Sequence, residues 1–177
     1  MHSENGEPRH DHFFTQSSFS TYALARQRNV IKVPSEAPLA LLGPLGCGIQ
    51  TGAGAVINSL KVRSDSSFVA YGDGAVGLSA VIAARIAGAM TIIAVDVVPS
   101  RVKLAIELGA THTLNSREVE IIESAREITS GGADFPLEST GRRKSLKPVS
   151  RRLVGWVHWV SSERQCLRRR RASILTV

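Results

Sequence analysis

Only two of the 177 residues are cysteines, Cys47 and Cys166, and they stand far apart. That excludes a small scaffold stapled by disulfides. No apolar run approaches the roughly 20 residues needed to cross a bilayer, so no membrane association is expected. The opening stretch "MHSENGEPRHDHFF" lacks the charged-then-apolar order of a secretory signal. These gaps together point to the cytoplasm. Acid is scarce at the other end. Residues 142–177 hold one acidic residue, Glu163, against 11 Lys and Arg, a net of +10. Residues 1–141 hold the other 11 basic residues and 14 acids, a net of −3, so the formal charge of +7 belongs to the carboxyl-terminal stretch. Any argument from basicity to nucleic acid concerns that stretch alone.

What is present suits a globular α/β protein: 43% of residues are hydrophobic and 15 are glycine. Residues 17–33 read as one or two short strands, and Pro34 to Pro38 as a turn. "LALLGPLGCGIQTGAGAVINSL" reads as a Gly-rich turn followed by a tightly packed helix around residues 51–60. The pattern then becomes regular. Strands are expected at 66–72, 91–96, 111–116 and 133–140, and helices at 75–89, 100–110 and 119–131. Gly109 is a candidate cap for the second of these helices, and glycine closes the third. Pro136 is unusual in a strand, because it removes a ladder donor. Strand and helix alternating at short intervals describe a doubly wound parallel sheet. With only about four strands supplied, the sheet is expected to be incomplete, since the complete order 3-2-1-4-5-6 needs six.

The chemistry concentrates in "YGDGAVG", which contains Gly72-x-Gly74-x-x-Gly77. A lone match to this spacing is weak. Here it follows a strand and opens a helix, and Asp96 lies 19 positions beyond Gly77 at the end of the next strand. Gly72 permits the tight turn, Gly74 lets backbone approach a pyrophosphate, and Gly77 lets the helix pack closely on the strand. Ala75 and Val76 open the helix, whose unpaired N–H groups and positive dipole end suit phosphates. Asp96 would accept hydrogen bonds from ribose hydroxyls and repel a 2′-phosphate, favouring NAD over NADP. Arg101 reaches the same edge and softens that preference. The alternative is a Gly-rich turn in a fold that binds something else.

Asp73 is discordant, since it puts a negative charge into the phosphate-facing loop. A side chain turned to solvent costs little. One turned to the phosphates costs roughly a few kcal/mol at an effective dielectric near 20. Asp73 is therefore expected to weaken cofactor binding.

"SSFSTYALARQRNVIKVP", "LLGPLGCGIQTGAGAV", the Gly72 loop, "AVD" and "GGADFPLESTG" occur in order. Together they resemble the zinc-containing alcohol dehydrogenases of the medium-chain dehydrogenase/reductase superfamily. "FFTQSSFSTYAL" and "GPLGCGIQTGAGAV" are most similar to the aryl-alcohol (benzyl alcohol) dehydrogenase branch. The resemblance runs from about residue 9 to Gly141. It implies three regions: the end of a GroES-like, β-rich catalytic domain in residues 1–60, a partial NAD-binding Rossmann domain in residues 61–141, and a basic tail in residues 142–177.

The resemblance makes Cys47 the counterpart of the family's third catalytic zinc ligand and places Thr51 near the nicotinamide. In such enzymes zinc acts as a Lewis acid on the alcohol oxygen, and hydride passes to NAD. Read without the family, Cys47 is a small buried residue in a Gly-rich turn. The family's first two zinc ligands, its proton-relay hydroxyl and its four-cysteine structural lobe all lie upstream of the stretch that this chain matches. His2, His10 and His12 fall outside the ligand motifs. One thiolate cannot hold a catalytic zinc, so the chain is expected to lack turnover alone. The parent reaction would oxidise a primary aromatic alcohol to its aldehyde.

The tail departs from the family, whose members continue "STG" with a phrase like "GRPEV". Codons CCG-GAA-GTC, less one base, read CGG-AAG-TC and give Arg-Lys-Ser, as at Arg143-Lys144-Ser145. Out-of-frame reading of GC-rich DNA also accounts for Arg168 to Arg171. A frameshifted, disordered tail is therefore expected. The final strands that form the family's dimer interface would then be missing, and that dimer is not expected to form. Two alternatives stay open: a solvated tail, and a nucleic-acid-binding arm that grips phosphates through its arginines.

Overall fold

The computed structural model describes residues 21–22, 25–141 and 160–161. The chain divides into two units, Met1–Leu39 and Ala40–Val177. In the first, the expected strands do not form among the described residues. A 3-10 turn, Gln27–Asn29, stands there, closed by the Val30 amide donating to the Gln27 carbonyl at 3.4 Å. Val30, Ile31 and Val33 have the β-branched character of a strand, yet all three are exposed. A strand needs a partner to satisfy its backbone, and side-chain propensity does not supply one.

A single helical turn, α1 (Leu39–Leu42), begins on the last residue of the first unit, and a 3-10 turn, Gly43–Gly46, follows it in the second. Helix α2 (Gly48–Gly54) follows and passes into a π-helical turn, Ala55–Leu60, that stops at Lys61 in the left-handed region. Strands and helices then alternate: β1 (Ser67–Tyr71), α3 (Ala75–Ile86), β2 (Thr91–Asp96), α4 (Pro99–Leu108), β3 (His112–Asn115), α5 (Ile121–Thr129) and β4 (Phe135–Glu138). A two-residue strand, β5 (Val160–Ser161), pairs with β4. The sheet order is β3-β2-β1-β4-β5, with every pair parallel. The expectation of about four strands therefore falls one short. Two residues are too few to show an alternating pattern, and they lie within the stretch read as an out-of-frame tail. The rest of residues 142–177 lies outside the described residues.

Both faces of the sheet are covered. Phe68, Ala70, Ile92 and Ala94 turn to one side, against α3, α4 and the π-helical turn. Val69, Tyr71, Ile93 and Val95 turn to the other, against Ala125 of α5. The period-two alternation divides β1 and β2 between two cores, which is why these strands read as unbroken apolar runs. Fully burying side chains such as Phe68 or Ile93 stabilises the fold by about 1.5–3 kcal/mol each. Helix α4 ends at Gly109 as expected (φ 121°). Helix α5 closes one residue before its glycine, with Ser130 in the left-handed conformation (φ 53°).

Pro136 does sit in a strand, paired with Val69. The Ser139 amide donates to the Tyr71 carbonyl at 2.9 Å. Since amides alternate sides along a strand, those of Leu137 and Phe135 also point to β1, and position 136 points to the opposite edge. There β5 begins to pair only at Leu137, so the missing donor breaks no bond.

Candidate functional site

The carboxyl ends of β1, β2 and β4 and the loop after β3 enclose a cleft of about 640 Å³. Its position follows from the strand order, because β1 lies between β2 and β4 while α3, which leaves β1, and α5, which leads into β4, cover opposite faces, so the loops diverge there. Gly72, Gly74, Asp96 and Arg101 line it, as do Tyr71, Arg117, Glu120, Ser139 and Thr140. Thr51, Cys47, Ala75, Val76 and Gly77 are not part of its wall.

The loop is built to bring a strand end against a helix start. Gly72 has φ +93°, and a Cβ there would stand 2.8 Å from Thr140 Cγ2. Its amide donates to the Val95 carbonyl at 2.8 Å, extending the β1–β2 ladder into the turn. A Cβ on Gly77 would meet the Gly72 carbonyl oxygen at 1.8 Å, so only glycine permits this closeness. Around Gly74 nothing lies within 4 Å of a Cβ position, leaving open space above the loop backbone. No side chain caps the first turn of α3. Its Ala75 and Val76 amides are among the four that a helix cannot satisfy internally. The Ser139 hydroxyl is shared between the Tyr71 and Gly72 carbonyls at 3.1 and 2.9 Å, tying β4 to the loop.

Asp96 ends β2 almost fully buried. Oδ1 accepts the Val97 and Val98 amides at 2.7 and 2.9 Å, and Oδ2 accepts the Asp73 amide at 2.7 Å. Arg101 approaches Oδ2 at 3.6 Å. Burial pushes the Asp96 carboxyl up. The amides of Asp73, Val98 and Val97, with Arg101, outweigh it and hold the group below the usual carboxylate range. Asp96 therefore faces the cleft as a fixed negative charge.

Asp73 occupies neither of the two placements expected for it. It is turned neither to solvent nor to the open loop surface. Its side chain is completely buried, and neither carboxyl oxygen has a hydrogen-bond partner. Burial first, then the Asp96 charge, raises its pKa to about 7 against the opposing pull of Arg101.

Cys47 precedes α2 and is exposed, not buried as a structural cysteine would be. The Thr51 amide donates to the Cys47 carbonyl at 2.9 Å, placing the two residues one turn apart. A Cβ on Gly48 would touch Ala75 Cβ at 3.0 Å, so the cysteine turn adjoins the start of α3. Gly52 packs closer still, with the Val76 carbonyl 2.1 Å from its Cβ position. Sequence alone assigns Gly52 no role. Its spacing of four from Gly48, on one helix face, is the signal that marks it. Arg117, Ser139 and Thr140 also escape the motif, and the rule that ligands bind beyond strand carboxyl ends would flag them.

Among the described residues no three His, Cys, Asp or Glu side chains gather into a metal site. The zinc implied by the family resemblance, which takes about three protein ligands, does not fit the described residues. Among them, too, no single helix is long and apolar enough to cross a membrane. A dinucleotide does fit the described residues: the glycine turn leaves room for it, the helix start is uncapped, and the Asp96 carboxylate lines the same cleft at the end of β2.

Residues 75–152 match the family described as zinc-binding dehydrogenase. Geraniol dehydrogenase of Castellaniella defragrans is 47% identical over 145 residues, covering 81% of this chain and 38% of that protein. An alcohol dehydrogenase zinc-binding domain protein from Burkholderia ambifaria superposes with a TM-score of 0.81 at 58% identity, over 99% of this chain and 47% of that one. Benzyl alcohol dehydrogenase from Acinetobacter calcoaceticus superposes with a TM-score of 0.82 at 49% identity, over 93% and 49%. The chain thus spans under half the length of each of these proteins.

Proposed function

The chain belongs to the zinc-containing alcohol dehydrogenases, of which it spans a part, and from that premise we propose that it supplies the NAD-binding side of an alcohol oxidation. Residues 1–60 are read as the end of the catalytic domain, residues 61–141 as part of the nucleotide-binding domain, and residues 142–177 as a tail outside both. The observation that carries the proposal is Asp96. A negative charge is fixed by three backbone donors at the end of β2, one of them the Asp73 amide of the glycine turn, and lines the same cleft as Gly72 and Gly74.

Each residue has a task in this reading. Gly72 and Gly77 bring the β1 end onto the start of α3. Gly74, Ala75 and Val76 present backbone to the pyrophosphate, where the helix dipole favours negative charge. Asp96 accepts the ribose hydroxyls and excludes a 2′-phosphate by charge. Arg101 flanks that edge. NAD, when bound, supplies the hydride acceptor. The substrate of the whole protein would be an alcohol, and the branch resemblance favours an aromatic one. Cys47 stands alone among the described residues, so no zinc step is assigned to them and no turnover is expected of the chain by itself.

The test is NAD and NADP titration of the native chain and of Asp96→Ala, with circular dichroism confirming the fold. Asp96→Ala is expected to weaken NAD at least tenfold and NADP much less. Equal weakening of both would reduce Asp96 to a structural residue, and no NAD binding by the native chain would overturn the reading. Salt-sensitive DNA binding that disappears on cutting after Gly141 would favour a nucleic-acid module instead.

A further inference from the structure

Asp73 is the polar group in the loop that the nucleotide reading leaves without a task. Its carboxyl is completely buried with both oxygens unpartnered. Its own amide donates to Asp96 Oδ2 at 2.7 Å, so the phosphate-facing backbone and the ribose-facing carboxylate are joined at this residue. The charged groups acting on it are Asp96, at the end of β2, and Arg101, on α4. Arg101 is already engaged with Asp96 at 3.6 Å and half exposed, so it compensates a second negative charge poorly. A buried carboxyl without donors is tolerated as the neutral acid and strongly opposed as the anion.

We infer that Asp73 makes the nucleotide affinity of this cleft depend on pH: its protonated side chain permits binding, and its ionisation opposes it. The inference rests on the NAD reading and adds a regulator to that site. Two effects act in the same direction. The Asp73 anion is buried within the loop whose backbone would receive a pyrophosphate, so like charges meet. The anion also repels Asp96 and strains the amide bond that holds the loop against it. By reciprocity, a bound dinucleotide keeps the proton on Asp73, and binding above neutrality takes up a proton. Burial and the neighbouring Asp96 charge set the transition near pH 7. If the protonated form alone binds, the NAD Kd rises about tenfold between pH 6 and pH 8, then by one decade per further pH unit.

The experiment measures NAD affinity of the native chain, Asp73→Asn and Asp73→Ala from pH 5.5 to 8.5 at constant ionic strength. The native chain is expected to lose about tenfold between pH 6 and pH 8, while both variants hold a flat profile. Histidines remain in all three proteins, so a slope shared by them would overturn the inference, as would a flat native profile. Absence of NAD binding at every pH would overturn the nucleotide reading itself. The Tm difference between Asp73→Asn and the native chain then tests the proton directly. It should widen from pH 5 to pH 8, and a constant difference would remove the inference.

Discussion

Gly77 lies so close beneath Gly72 that a methyl group added at residue 77 would stand 1.8 Å from the Gly72 carbonyl oxygen. That oxygen is backbone and cannot swing aside. Gly77→Ala must therefore push the start of α3 off the end of β1. We expect a loss of about 1–3 kcal/mol in urea unfolding together with loss of NAD binding. Gly74→Ala, where the added methyl meets open space, should leave stability within about 0.5 kcal/mol and weaken only the ligand. Equal destabilisation by the two would refute this account of the loop.

Removing Asp96 should be costly before any ligand is added. Asp96→Ala strips an acceptor from the amides of Asp73, Val97 and Val98. A buried donor left unsatisfied costs about 1–3 kcal/mol, so a loss of at least about 2 kcal/mol is expected. Asp96→Asn retains one oxygen acceptor and should lose less. The urea midpoints of the three proteins, at unchanged m-value, measure the order.

Asp73 has a folded pKa of about 7 against an ordinary 3.8, so its sign in stability is opposite to that of a paired carboxylate. Well below the ordinary value of 3.8 both folded and unfolded chains carry the proton, and the residue costs nothing. As pH rises toward 7 the unfolded chain releases the proton and the folded chain keeps it, so stability falls. The full penalty is roughly 4 kcal/mol at 1.36 kcal/mol per unit. Asp73→Asn should therefore be progressively more stable than the native chain between pH 4 and pH 7, with little further gain above. Urea unfolding at four pH values measures this, and a difference that shrinks with pH would contradict the burial of an orphaned acid.

Arg101 offers a contrast. Its side chain is half exposed and its pair with Asp96 is long, at 3.6 Å. Arg101→Ala should change stability by no more than about 0.5–1 kcal/mol. Its mark belongs on cofactor choice: without the guanidinium, the NAD over NADP ratio should increase. An unchanged ratio in paired titrations would remove Arg101 from the ribose edge.

The strands and helices from β1 to β4 are legible in the sequence because each carries a local signal. β2 is apolar throughout and ends at Asp96, as its pattern implies. Gly109 stops α4, and the spacing from Gly77 to Asp96 locates the cleft. What escapes depends on partners distant in sequence. The Val30–Val33 stretch has strand propensity but pairs with no strand among the described residues. β5 is two residues long. Gly52 looks like one small residue among several, and only its closeness to Val76 reveals its task. Asp73 reads as a loop charge because spacing cannot report burial: its amide is taken by Asp96, and its side chain is completely buried.

The closeness of Gly52 and Val76 reaches beyond packing. Helix α2 begins beside Cys47 and rests, without an intervening side chain, on the first turn of α3, which follows Gly74 of the cleft wall. Two rods touching backbone to backbone have no soft layer in which to slide. The cysteine turn and the glycine loop therefore keep a constant offset, like two marks on one ruler. A group held at Cys47 and a dinucleotide held at Gly72 would be gauged against each other by the fold itself.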